Sequence, residues 1–174
     1  MAVTDPHEEK NTFQVDVMIP GHAPRVTTPI FTKTRKELIA RDGGRCYVSG
    51  MTAEESGHPL EAHHYPIERS FAEMMDWDRI KAEALAGELG VSQAQRDAAK
   101  AFDWDSFDPA DPYTFVDNML VNGMLLAKQF HTGKDEGIHL MPHPVWIAQR
   151  YGKDGYKFSE IEIIHHDYEG EKDA

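Results

Sequence analysis

Alternation of apolar and polar residues marks the first regular segment of the chain. Residues 13–19 read F-Q-V-D-V-M-I, a period-two pattern that predicts a half-buried strand. Short segments bounded by turn residues predict further strands at residues 45–50 (R-C-Y-V-S-G), 60–66 (L-E-A-H-H-Y-P) and 156–164 (Y-K-F-S-E-I-E-I-I). Strands are therefore expected near both ends of the chain as well as in its first half.

The two middle strands are predicted to form a strand, turn and strand unit around a polar loop. The second of them carries two adjacent histidines, His63 and His64. Because successive side chains of a strand point to opposite faces, the two imidazoles can take different roles.

A helix is predicted to begin at Thr34, in the segment T-R-K-E-L-I-A-R-D-G-G. Glu37 stands three residues after Thr34, as in a capping box, and Gly43 is expected to end the helix.

Helical spacing of apolar residues predicts three more helices. The first covers residues 68–89 and stops at Gly90, the second runs from a Ser92 cap to Phe102, and a short one covers residues 145–151. Strands and helices together predict an α+β fold.

Length and composition favour one globular domain over residues 1–174. The chain has 174 residues, of which 40% are hydrophobic and 28% are charged. It has no run of about 18 apolar residues and no signal-peptide pattern, so a cytoplasmic protein is expected. Cys46 is the only cysteine and is expected to be packed rather than reactive. A metal site would therefore rest on His, Asp, Glu or Asn.

The charge is distributed unevenly along the chain. The net charge is −12, yet residues 25–45 hold six basic and two acidic residues, whereas residues 70–116 hold ten acidic and four basic ones. The basic segment can face a polyanion, although a solvated helix surface is the commoner outcome for such a run. Trp77, Trp104 and Phe107 are expected to anchor the acidic segment on the core.

Metal-binding residue types concentrate in residues 122–139, which read N-G-M-L-L-A-K-Q-F-H-T-G-K-D-E-G-I-H. An apolar run leads to His131, and Asp135 and His139 follow four and eight residues later. The four-residue step suits one helix face, but two glycines make a helix unfavourable here. We therefore favour His139, reaching back from a loop, over Asp135 as the last metal ligand.

These segments together resemble the HNH nuclease family over roughly residues 41–143. R-D-G-G-R-C-Y-V-S-G resembles its entry segment, L-E-A-H-H-Y-P its first catalytic strand, and N-G-M-L-L-A-K-Q-F-H its Asn-to-His element. H-T-G followed by G-I-H is similar to a form frequent in phage-borne members. Unlike many members, this chain lacks two cysteine pairs, so their structural zinc is not expected.

The resemblance implies a ββα-metal core (a His-Me finger) with a helical insert at about residues 68–112 and extra N- and C-terminal strands. It implies a divalent-metal-dependent DNA endonuclease in which His64 is the general base and Asn122 fixes its orientation. The reverse order, with His63 as base, follows from a different alignment of the motif. The implied ligands are three histidines with one acidic alternative: His63, His131, His139 and Asp135.

DNA is the partner that the resemblance implies, with phosphates contacted by basic residues of the 25–45 segment: Arg35, Lys36, Arg41 and Arg45. An all-imidazole site suits Zn, Ni, Co or Mn, and Asp135 in place of one histidine would favour Mg or Mn.

Two other classes of function fit parts of the sequence. The acidic charge supports a non-catalytic binding protein on the same fold, a DNA mimic or phage assembly factor that engages a protein partner through the acidic insert. A metal-bound hydrolase acting on RNA or nucleotides is the third class. The histidine set favours the DNA endonuclease, because a mimic needs no such residues.

Overall fold

A computed structural model of the chain describes residues 26–133 and 136–139. These residues form a mixed α+β structure with one two-stranded antiparallel sheet. Its elements in chain order are α1 (Pro29–Arg41), α2 (Ala53–Ser56), β1 (Leu60–His64), a 3₁₀ helix (Arg69–Met74), α3 (Trp77–Ala86), α4 (Gln93–Lys100), α5 (Tyr113–Val116), α6 (Met119–Asn122), β2 (Gly123–Ala127) and α7 (Lys128–Thr132).

The predicted α+β fold class is confirmed. Four predictions lie outside the described residues: the strands at residues 13–19 and 156–164, the helix at residues 145–151, and Asp135. Among the described residues, no helix is both long and apolar enough to cross a membrane.

Helix α1 begins earlier than the sequence predicts. Thr28 is its cap and accepts a hydrogen bond from the Phe31 amide at 3.2 Å, with Pro29 at the first helical position. The predicted cap at Thr34 is wrong, because Thr34 is buried within the helix and its hydroxyl accepts from the Met119 amide at 2.9 Å. Gly43, with φ +62°, follows the end of the helix as predicted.

Strand β1 lies within the predicted segment, but it pairs with β2 rather than with residues 45–50. The register sets Leu60 opposite Ala127 and His64 opposite Gly123. Residues 45–50 form turns instead of the predicted strand, and the Tyr47 amide donates to the Leu125 carbonyl of β2 at 2.8 Å. β2 is apolar throughout and all of its residues are buried, which favours β2 as the strand that pairs with β1 in the core.

The predicted helix at residues 68–89 is broken into two. Met75 takes an extended conformation between the 3₁₀ helix and α3, and Asp76 caps α3 through the Arg79 amide at 3.0 Å. The break therefore coincides with a new capping residue. α3 also ends before Gly87, which has φ +77°, instead of at Gly90.

Helix α4 is capped by Ser92, as predicted; its hydroxyl accepts a hydrogen bond from the Gln95 amide at 3.2 Å. Gln95 itself is fully buried, and its amide nitrogen donates to the carbonyls of Tyr65 and Val121 at 2.8 and 3.1 Å. The insert is thereby tied to the segment that leaves β1 and to the approach to β2.

The aromatic residues of the insert pack as predicted. Trp77 and Trp104 are buried, and Phe107 contacts both of them, with ring centroids at 4.9 and 5.5 Å. The indole N–H groups of Trp77 and Trp104 donate to the carbonyls of Ala72 and Ala99, respectively, so both buried N–H groups are hydrogen-bonded. Cys46 is also buried, in the cluster beside β2, as expected.

Candidate metal centre

Three histidines from three different segments converge. His63 is on β1, His131 is on α7, and His139 is in the loop that follows; one ligand nitrogen of each lies within 4.8 Å of the other two. The ring centroids are 5.1 to 5.2 Å apart. His63 is buried, His131 is partly buried and His139 is exposed. The expectation that His139 reaches back from a loop agrees with this geometry.

The chemistry of this donor set fits a divalent ion. Nitrogens that share one ion lie roughly 3 to 3.5 Å apart, since metal to imidazole bonds are about 2.0–2.1 Å long. The three nitrogens lie within 4.8 Å of one another, so a modest contraction would bring them to this spacing, and His139 is the exposed member of the group. Imidazole nitrogen suits a borderline ion such as Zn, Ni or Co better than Mg.

Two carboxylates lie beside histidines of this group. Glu61 Oε2 lies 2.8 Å from Nδ1 of His131, and Glu68 Oε1 lies 3.3 Å from Nε2 of His63. Sequence reasoning missed both. Strand alternation carries a signal for Glu61, because a residue two positions before His63 shares its face of β1. Nothing comparable in the sequence points to Glu68.

His64 has separate partners from His63, as the strand alternation predicts. Its Nε2 lies 3.3 Å from Oδ1 of Asp117, and its ring stacks on Phe31 with centroids 5.7 Å apart. Asp117 in turn accepts from Nε of Arg69 at 3.1 Å, and the Arg69 guanidinium lies over the ring of Tyr113. Asp117 and Arg69 were not among the predicted site residues.

The pKa of Asp117 is lowered from its usual range. Burial alone would raise it, since desolvation disfavours the charged carboxylate, but the other contacts outweigh that effect. The hydrogen bond with His64, the charge of Arg69 and a hydrogen bond from Thr28 all favour the ionised form. His64 therefore faces an anionic carboxylate.

One cleft joins the two histidine environments. Its volume is about 710 Å³, and it is lined by His63, His64, His131 and His139 together with Asp117. Four predicted site residues are thus brought to one surface.

Asn122 lies beneath the cleft rather than in it. Its side chain is fully buried; Oδ1 accepts from the Ile67 amide at 3.0 Å, and Nδ2 donates to the carbonyls of Ile67 and Val116 at 2.8 and 2.9 Å. The backbone carbonyl of Asn122 accepts from the Tyr65 amide at 3.1 Å. Asn122 therefore fixes the backbone that follows His64.

The four predicted DNA contacts are not equivalent. Arg35 and Lys36 are exposed on α1. The Arg41 side chain is only 7% exposed and donates to the carbonyls of Leu120 and Gly123 at 2.7 and 2.8 Å.

Arg41 thus supports the turn into β2, and contact with a phosphate would break that network. Arg45 is exposed but pairs with Glu55 at 3.0 Å.

Comparison of the chain with protein-family models, with curated proteins and with solved structures found no match.

Proposed function

We propose that the protein is a metal-dependent DNA endonuclease of the HNH class. The observation that carries this proposal is the convergence of His63, His131 and His139 in one cleft with His64, whose imidazole has a carboxylate partner of its own. Metal-assisted hydrolysis of a phosphodiester needs a water, a base to take its proton and a cation to stabilise charge, and this cleft offers residues suited to hold the cation beside a candidate base.

The order of elements supports a ββα-metal core made of β1, β2 and α7. The two strands are antiparallel, and α7 begins at the residue after β2 ends. One ligand histidine stands on β1 and another on α7, so the sheet and the helix together fix their separation. The insert at about residues 68–112 lies between the strands in sequence.

His64 is suited to accept a proton from water. The ionised Asp117 can only accept a hydrogen bond, so its contact with Nε2 places the imidazole proton there and leaves the lone pair on Nδ1. Water that gives its proton to Nδ1 attacks the phosphorus, the bond from phosphorus to the sugar oxygen breaks, and that oxygen leaves as an alkoxide that takes a proton from solvent. A bound ion would supply positive charge for the developing phosphorane and leaving oxygen. His63, His131 and His139 would hold it.

The proposal is tested with supercoiled plasmid and purified protein in chelator, or in Mg, Mn, Co, Ni or Zn. We expect no nicking in chelator and conversion to open-circular DNA with at least one of the metals. A folded protein that cleaves with none of them contradicts the endonuclease. Tight binding of a basic protein together with such inactivity would instead support the non-catalytic acidic binding protein.

The exposed basic face of α1 is the proposed DNA contact. Arg35 lies one helical turn after Phe31, which lines the cleft and stacks on His64, so Arg35 and Phe31 share one face of α1. We expect Arg35→Glu with Lys36→Glu to weaken DNA binding and to reduce the slope of log affinity against log salt by about 2, one for each lost phosphate contact.

Electrophoretic mobility shifts or fluorescence anisotropy at several salt concentrations measure this change. The matched control is Arg79→Glu with Lys100→Glu, which alters the net charge equally on exposed positions of the insert. Equal losses in both double variants would show that net charge, and not this face of α1, governs binding.

A further inference from the structure

Glu61 and His131 form a short contact between β1 and α7. Oε2 of Glu61 lies 2.8 Å from Nδ1 of His131, a distance typical of a hydrogen bond assisted by charge. Glu61 pairs with Leu126 in the sheet, one residue before the end of β2, and α7 starts directly after that strand. The sheet register therefore fixes the carboxylate opposite the helix that carries the histidine.

Glu68 is held beside His63 by the backbone that precedes it. Its Oε1 lies 3.3 Å from Nε2 of His63. The preceding residue, Ile67, has both its amide and its carbonyl held by the Asn122 side chain. The backbone leading into Glu68 is thus clamped, although the carboxylate itself stays 28% exposed at the cleft.

We propose that Glu61 and Glu68 are positioning residues of the metal centre, each of which decides the nitrogen that its histidine offers to the ion. An ionised carboxylate only accepts hydrogen bonds, and a neutral imidazole has a single N–H. The hydrogen bond between His131 and Glu61 therefore places a proton on Nδ1 of His131, and the negative charge of Glu68, 3.3 Å from Nε2 of His63, favours a proton on that nitrogen. The lone pairs that remain for an ion are Nε2 of His131 and Nδ1 of His63.

Loss of these partners should weaken metal binding without removing a ligand. Carboxylates behind ligand histidines fix the ring and raise its basicity, and their loss typically lowers metal affinity 10- to 100-fold. We expect that range for Glu61→Ala and Glu68→Ala. Glu61→Gln keeps an acceptor for the His131 N–H but lacks the charge, so we expect it at the lower end.

Calorimetric titration of the purified full-length chain with Zn²⁺ and Co²⁺ measures these affinities in the absence of DNA. Glu88→Gln, at an exposed position of the insert, removes the same charge far from the histidines in sequence and should leave the affinity unchanged. Thermal unfolding in chelator establishes that each variant folds. Glu61→Gln and Glu68→Gln keep the side-chain shape, and they decide the outcome if an alanine variant does not fold.

Nitrogen-15 NMR of the zinc-loaded protein reads the coordinating nitrogens directly. The expected pattern is Zn on Nε2 of His131 and on Nδ1 of His63, with three imidazoles bound in wild type and in Glu61→Gln. Affinities within twofold of wild type in all the Glu61 and Glu68 variants would overturn the proposal. The opposite nitrogens, a carboxylate oxygen bound to the ion, or no metal binding by the wild-type chain would overturn it too.

This inference rests on the metal site of the proposed nuclease, but it fails separately from that function. Metal binding that depends on the glutamates, in a protein that nicks no plasmid, supports the positioning roles and contradicts the nuclease. If the protein nicks DNA only with metal, and the Glu61 and Glu68 variants bind metal as tightly as wild type, the nuclease is supported and the positioning roles are contradicted.

Discussion

The His64→Ala protein is expected to bind metal as tightly as wild type and to nick plasmid DNA about 10²- to 10⁴-fold more slowly, the usual contribution of a general base. His64 lines the cleft but is absent from the group of three histidines whose nitrogens converge, and its Nε2 contacts Asp117 instead. The substitution would remove the proposed proton acceptor and leave the three converging histidines in place.

Single-turnover nicking rates at saturating metal, with a parallel calorimetric metal titration, separate these two effects. His58→Ala is the matched control, because His58 is exposed and lies outside the cleft. His63→Ala should show the opposite signature, with metal affinity lost first. If His64→Ala loses metal affinity and His63→Ala retains it, His64 is the metal ligand and His63 is the base. The sequence motif alone left this assignment open.

Much of the site could be predicted from sequence because its members follow local rules. Strand alternation separated the surroundings of His63 from those of His64, and the glycines after His131 indicated a loop that returns His139 to the cluster. These inferences depend only on residues a few positions apart. The structure agrees with each of them.

The partners of the site could not be predicted, because they depend on long-range pairing. The expected hairpin joined residues 45–50 to β1, whereas β1 pairs with β2, across the whole insert. That pairing brings Asp117 to His64, and it is what places Glu61 against His131. Arg41 likewise looked like a surface cation of a basic run, but its guanidinium satisfies two carbonyls on either side of Asn122.

The backbone contacts of Asn122 could not be predicted from its local motif. The resemblance implies an orienting role for it, and its buried amide holds the loop that follows His64. Gln95, from the insert, holds the same loop at the Tyr65 carbonyl. The buried side-chain amides of Asn122 and Gln95, from distant parts of the chain, therefore hold the same loop. The insert, which carries Gln95, thus contributes to the shape of the site.

Asp117→Asn is expected to lower the free energy of unfolding by about 3–5 kcal/mol, the usual cost of removing one partner of a buried ion pair. The side chains of Asp117 and Arg69 are 1% and 7% exposed, so the arginine would lose the charge of this carboxylate in a buried environment. Asp111→Asn, at an exposed position, is the control and should change stability by less than about 0.5 kcal/mol.

The difference between wild type and Asp117→Asn should also depend on pH. The pKa of Asp117 in the folded protein lies below its ordinary value of 3.8. The carboxylate therefore contributes stability that is complete above that ordinary value and is lost as the pH falls through the folded pKa. Urea unfolding in chelator should give the full difference at pH 7 and a smaller one near pH 3.

Arg69→Met tests the same pair from the other side. In a double-mutant cycle, Asp117→Asn with Arg69→Met should be more stable than the sum of the two single changes predicts, because neither charge remains buried alone. Additive effects, or a loss below about 1 kcal/mol for Asp117→Asn, would show that the ion pair does not support the cleft. The part proposed for Asp117, orienting the imidazole of His64, would then rest on that one contact alone.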